Sequence, residues 1–139
     1  MLEVVTPQRE VVRESVAEVQ LPALSGYLGI LPGHIPLLTE LGIGPLIYKK
    51  GPASAYIAVI GGFAEVLPGR VTVLAEAAER SEEIDVGRAR ADLAEAEKKL
   101  AVSSADPNTD WDAVLKSVAS ARARLEATAH GSQSSRMER

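Results

Sequence analysis

The sequence predicts an α+β protein, with an N-terminal antiparallel β-sandwich over residues 1–84 followed by a C-terminal antiparallel α-helical hairpin over residues 85–130. Three observations predict it. Up to about Ala78 the chain is a series of short β-branched runs punctuated by Gly and Pro, the pattern of strands and tight turns. At Ile84–Asp85 the apolar period changes from two to that of a helix. Beyond that point two Ala-rich seams repeat one spacing, joined by a linker too short for a crossover.

In the first half Val4, Val5, Val11, Val12, Val16, Val19, Val59, Val66, Val71 and Val73 supply the strand residues. Ser15 to Leu21 alternates, with Ala17, Val19 and Leu21 expected on the buried face and Val16, Glu18 and Gln20 on the other. Pro68-Gly69 and Gly51-Pro52 each divide two apolar runs and predict tight hairpins, since Pro presets φ and Gly accepts positive φ. Gly61-Gly62 interrupts a long strand and predicts a bulge or a bend that lets the chain turn a sandwich corner.

In the second half Val86, Ala89, Leu93, Ala96 and Leu100 form the seam of a first helix with Asp85 as its N-cap. Trp111, Val114, Val118, Ala121 and Leu125 form that of a second, running from about Asp110 to Ala129, with Asn108, Thr109 and Asp112 offering capping chemistry after Pro107. Small seam residues bury little area, at ~25 cal/mol per Å², so the hairpin is expected to be loosely held. The Ser-, Arg- and Glu-rich tail, 131–139, is expected to be disordered.

Composition narrows the function. With 139 residues the core is modest. The absence of cysteine removes disulfides, thiolate metal sites and cysteine nucleophiles, and only His34 and His130 remain, far apart, so no metal site is predicted. The net charge of −4 is concentrated in front, where ten acidic residues outnumber six basic ones through Ile84. Without a basic stripe, and with one Phe, one Trp and three Tyr, no nucleic-acid partner is expected. Glu3, Arg9, Glu10, Arg13 and Glu14 argue against a secretory signal and predict that the chain stays where it is made. Ser25, His34 and Glu40 can be drawn as nucleophile, base and orienter, but no motif fixes their geometry, so no catalytic residue is assigned.

The stretch from Leu21 to Thr39, closing on Gly29-Ile30-Leu31-Pro32-Gly33-His34-Ile35-Pro36-Leu37-Leu38-Thr39, resembles the signature of the epsilon subunit family of F-type ATP synthases. Further matches follow in order: Tyr56 to Val59 with Gly61 to Val66, Val71 to Ala75, and Ala78 to Arg80 with Ile84 to Ala89. The resemblance spans roughly residues 1–129 and implies a non-catalytic central-stalk subunit that couples proton translocation to ATP synthesis. The implied partners are the gamma subunit and the c-ring, with the alpha and beta subunits added when the hairpin extends to inhibit hydrolysis. The implied place is the cytoplasmic face of the bacterial inner membrane, peripheral to it through the complex, with the plastid stromal face as the alternative.

The resemblance also assigns residues. Tyr27, Pro32, Gly33 and His34 are implied c-ring contacts, although many members carry an acidic residue where this chain has Tyr27; Leu31 to His34 reads equally as a fold-determining turn. Gly42 to Pro45 and Gly61 to Glu65 are implied to expose a face for gamma, against a purely backbone role. Ile84, Asp85 and Arg88 match a motif tied to ATP binding in some bacterial members, leaving ATP open as a weak regulatory ligand and no other cofactor. Where such members bring further arginines this chain has Glu95 and Ser120, keeps Arg124, and offers Arg122 as a substitute. Lys116, Arg122 and Arg124 are the implied inhibitory contacts, or else the polar face of an amphipathic helix.

Overall fold

The computed structural model describes residues 1–33, 36–103 and 107–137. Seven strands are formed: β1 (Leu2–Val5), β2 (Glu10–Glu14), β3 (Glu18–Ala23), β4 (Gly26–Ile30), β5 (Leu37–Lys50), β6 (Ala53–Leu67) and β7 (Arg70–Arg80). A 3-10 turn (Ser81–Glu83) leads to α1 (Val86–Ser103) and α2 (Trp111–Met137). Among the described residues no helix is long and apolar enough to cross a membrane.

The strands hydrogen-bond in the order β2-β1-β7-β6-β5-β3-β4. The sheet is antiparallel except where β1 lies parallel to β7. That pair joins the first and the seventh strand of the chain, so the five strands between them serve as its connection and no crossover helix is needed. Leu2 and Val4 of β1, Leu21 of β3, Leu46 of β5 and Val59 and Val66 of β6 are fully closed off from solvent in one core. Strands from both ends of the hydrogen-bonded order meet in it, which a flat sheet could not achieve.

The fold-back happens where β5, β6 and β7 bend together. In β6 the core-facing residues change from Ile57 and Val59 to Ala64 and Val66, a change of parity across Gly61-Gly62. In β5 it changes from Leu41 to Leu46 and Tyr48, and in β7 from Val73 and Ala75 to Ala78. Gly62, at φ +124°, is required there: a Cβ would stand 2.1 Å from the Leu74 carbonyl oxygen. Both predicted hairpins form, with Lys50 opposite Ala53 across Gly51-Pro52 and Leu67 opposite Arg70 across Pro68-Gly69.

Three local expectations are corrected. Val19 and Leu21 are buried as predicted, but β3 begins at Glu18 and Ala17 is exposed, while Val16 packs against the core from the preceding turn. The N-cap of α2 is Asp110, whose Oδ1 accepts the Ala113 N–H at 3.1 Å. The tail expected to be disordered continues α2 as helix to Met137: Gly131 costs about 1 kcal/mol in a helix interior, which does not stop a helix without a proline.

In α1 the predicted seam of Val86, Ala89, Leu93, Ala96 and Leu100 is the inward side, with Ala89 and Ala96 closed off. In α2 Val114, Val118, Ala121 and Leu125 match it, whereas Trp111, at the open tip of the hairpin, stays exposed. A second buried line on α2, Ala123 and Ala127, was not anticipated from the periodicity. It faces the sheet: α2 lies across β5 and β6, with Ala127 in one cluster with Ala58, Ile84 and Ala89, flanked by Tyr56 and Leu125.

Candidate functional site: docking faces, hinge and hairpin charges

The outer side of the sheet is divided. Before the bend β6 buries both sides, Ile57 and Val59 into the sandwich and Ala58 against the hairpin. Beyond it nothing among the described residues covers the outer side: Leu38, Phe63 and Leu74 are 71%, 53% and 58% exposed. Phe63 lies directly opposite Leu74 on one side and Glu40 on the other, and Leu38 lies opposite Glu65. The result is an apolar patch with a carboxylate rim on a rigid sheet. The face implied for Gly42 to Pro45 is not there, since Gly44 and Pro45 are buried, with Pro22 and the Tyr27 hydroxyl within 3.3 Å of where a Gly44 Cβ would stand. Only the Gly61 to Glu65 segment opens outward, through Phe63 and Glu65.

At the end of the sandwich, exposed Leu31 with Pro32 and Gly33 lines a shallow cleft with Met1, Ala17 and Gly69. The Met1 ammonium donates to the Gly69 carbonyl at 3.0 Å and ties these loops together. His34 lies outside the described residues. Tyr27 is separated from this end. It is the second residue of β4, about 13 Å up the strand from Leu31 at 3.3 Å per residue, and paired with Pro22 it sits beside Gly44. Burial, and then the negative charge of Glu126 on α2, push its phenol pKa up, so Tyr27 belongs to the hairpin side.

The hinge between sandwich and hairpin is clamped by charge. In the turn after β1 the Thr6 hydroxyl accepts the Gln8 and Arg9 N–H groups at 3.3 Å, which projects Arg9 toward Glu83. Arg9 binds Glu83 through both terminal nitrogens, and Arg80 NH2 approaches the same carboxylate at 2.7 Å. Arg9 first and Arg80 second hold the Glu83 carboxyl down to about 2, so the clamp stays charged at neutral pH. Ile84 is buried just beyond it, and Asp85 Oδ1 accepts the Arg88 N–H at 3.1 Å, capping α1 as predicted.

Ile84, Asp85, Arg88 and Arg124 are brought together: all four line a cavity of about 340 Å³ with Glu79, Glu83, Ala89 and Asp92. Arg88 is exposed and forms no ion pair among the described residues, so it faces the cavity free. Arg124 is engaged: its buried Nε lies 2.8 Å from Glu79 Oε1, off the angle of a hydrogen bond, and NH1 lies 3.8 Å from Asp92. Four carboxylates against two guanidinium groups line the cavity, a balance that disfavours a triphosphate. Glu95 and Ser120 line a neighbouring groove between the helices. Among the described residues no group is arranged to hold a metal ion.

The remaining predicted cations are paired too. Lys116 Nζ meets Glu76 Oε2 of β7 at 2.9 Å, and Arg122 NH2 meets Glu97 Oε1 of α1 at 3.4 Å. None of these acids was singled out in the sequence. Ser25 and Glu40 are both exposed, with no hydrogen bond joining their side chains among the described residues.

The family described as ATP synthase, Delta/Epsilon chain, beta-sandwich domain, matches residues 1–81, the sandwich without the hairpin. The ATP synthase epsilon chain of Solibacter usitatus is 53% identical over 98 residues, 70% of this chain and 73% of that protein. That of Koribacter versatilis is 47% identical over 101 residues, 73% of this chain and 71% of that one. Among solved structures, a chain of the Euglena gracilis mitochondrial ATP synthase (OSCP/F1/c-ring, rotational state 1) superposes with a TM-score of 0.77 at 25% identity, covering 93% of this chain and 80% of that one. A chain of the Tetrahymena thermophila mitochondrial ATP synthase central stalk and c-ring shares the fold at 14% identity, with a TM-score of 0.51 and 93% and 92% covered. Sheet order, bend and hairpin together with these identities place the chain in the epsilon chain family of ATP synthases, accessory subunits that do not themselves catalyse the reaction.

Proposed function

We propose that this chain is a rotor part of the central stalk, peripheral to the membrane on its cytoplasmic side, which passes torque between proton flow through the c-ring and ATP synthesis. The observation that carries this reading is the bare half of the outer sheet. An exposed Phe63–Leu74 pair with Leu38 beside it, rimmed by Glu40 and Glu65, suits an apolar and basic partner surface. The gamma subunit is that partner, and the Leu31-Pro32-Gly33 end of the sandwich meets the polar loops of the c-ring. The hairpin is a two-state regulatory element: docked it leaves rotation free, and extended it brings Lys116, Arg122 and Arg124 to acidic segments of alpha and beta and restrains hydrolysis. Its reach is considerable, since helices of 18 and 27 residues span about 27 and 40 Å at 1.5 Å per residue.

Reconstitution tests both parts. Phe63→Asp should weaken binding to gamma roughly thirtyfold, as expected for an aromatic anchor, and unchanged affinity would remove the docking face. A chain ending at Ile84 should bind gamma normally and raise ATP hydrolysis above that with the full chain. Equal hydrolysis would remove the inhibitory role and leave coupling intact.

ATP as a weak ligand of the docked hairpin is a second reading, favoured by the convergence of Ile84, Asp85, Arg88 and Arg124 on one cavity with Arg88 unpaired. The acidic lining requires the affinity to be poor. Calorimetry with ATP should give a dissociation constant no tighter than about millimolar, abolished by Arg88→Ala. An Arg88→Ala chain that binds ATP like the parent would rule this site out.

A further inference from the structure

We infer that Glu76, Glu79 and Glu97 act as an internal acidic mask, holding Lys116, Arg124 and Arg122 in the docked hairpin so that a competing acidic surface must displace them before the hairpin extends. This rests on the reading of the hairpin as a regulatory element and adds the device that sets its balance. Each of the three cations has a carboxylate within 2.8 to 3.4 Å. Two of the acids, Glu76 and Glu79, stand on β7, so those pairs hold helix to sandwich; the third holds helix to helix.

A second observation concerns how Glu76 is placed. It lies beside the bend, and Gly61, at φ +67°, leaves the space it uses: a Cβ on Gly61 would stand 3.1 Å from the Glu76 carboxyl carbon. The bend thus turns the carboxylate up toward α2. The buried apolar cluster that joins α2 to the sandwich is small, made of Ala58, Ile84, Ala89 and Ala127 with Tyr56 and Leu125 packed against it. Ion pairs that are individually weak on a surface therefore make up an unusual share of the docking. Because the extended state offers the same cations new carboxylates, the two states exchange partners of like chemistry. Their difference in free energy is correspondingly small, as a switch requires.

The test uses the full chain in solution and hydrogen exchange of its α2 amides. In the parent, exchange should speed up severalfold between low salt and ~0.5 M salt, where the screening length falls well below that at 0.1 M. Glu76→Gln with Glu79→Gln should speed it up about tenfold at low salt and remove most of the salt dependence, with the sheet amides unchanged. Parental α2 exchange that ignores salt, or a double variant that exchanges like the parent, overturns the mask. Hydrolysis by the reconstituted complex separates the two ideas: stronger inhibition by the double variant supports both. Faster exchange with unchanged hydrolysis supports the mask and overturns the inhibitory role.

Discussion

Gly62→Ala is expected to cost the sandwich about 5 kcal/mol, enough to leave little folded protein in a domain of ordinary stability. The new methyl group would sit 2.1 Å from the Leu74 carbonyl oxygen and 2.8 Å from the Ala75 Cα, both backbone atoms that cannot swing aside. The backbone at φ +124° adds strain of its own, of order 1–3 kcal/mol, and relief would require β6 and β7 to part at the bend that closes the core. Urea unfolding followed by far-UV circular dichroism should show the transition lost or moved to far lower denaturant. Gly29→Ala, with nothing within 4 Å of the new atom, is the control and should stay within about 0.5 kcal/mol of the parent. A Gly62→Ala chain unfolding within 1 kcal/mol of the parent would show that the bend is not rigidly specified.

Ala127→Asp is expected to undock the hairpin while leaving the sandwich folded. Ala127 has no exposure to solvent and shares one buried cluster with Ala58 of the sheet and Ala89 of α1. A carboxylate there would be buried without a partner, at a cost of several kcal/mol. The chain need not bear that cost, because α2 can leave the sheet; the effect is capped by the docking free energy, and it appears as local opening. Amide exchange in α2 should therefore accelerate about a hundredfold, with the sheet unchanged. Ala129→Asp, on an exposed position of the same helix, should have no such effect. Protection of α2 equal to that of the parent in Ala127→Asp would contradict the sheet-facing role of the Ala123–Ala127 line.

Much of this architecture is legible in the sequence because it depends on chemistry local in the chain. A Pro-Gly between apolar runs, an Asp before a helical seam and a double glycine inside a strand each act within a few residues, and each forms its predicted feature. What escapes is either nonlocal or chemically quiet. Ala123 and Ala127 carry the sheet contact of α2, but alanine suits both exposed and buried helix positions, so a second buried line leaves no periodic mark beside the larger Val118 and Leu125. Lys116 and Glu76 are forty positions apart, and nothing at either residue announces the other. The family resemblance groups Tyr27 with Pro32 and Gly33, and the extended β4 sets Tyr27 about 13 Å from the Leu31 end of that group. Of the candidate site, Ile84, Asp85 and Arg88 are neighbours in the chain and folding brings Arg124 of α2 to them, while the acidic surroundings come from Glu79 on β7, Glu83 in the 3-10 turn and Asp92 on α1.

The helix that grips the sheet is the second of the hairpin, not the one joined to the sandwich. α2 lies over β5 and β6, whereas α1 meets that cluster through Ala89 beside its fixed start at Asp85. In the hairpin release proposed above, α2 gives up its sheet contacts while Arg9, Arg80 and Glu83 keep the root of the arm anchored. An arm tethered in this way would swing about one fixed point, so its reach would be set by the length of the helices beyond Ile84.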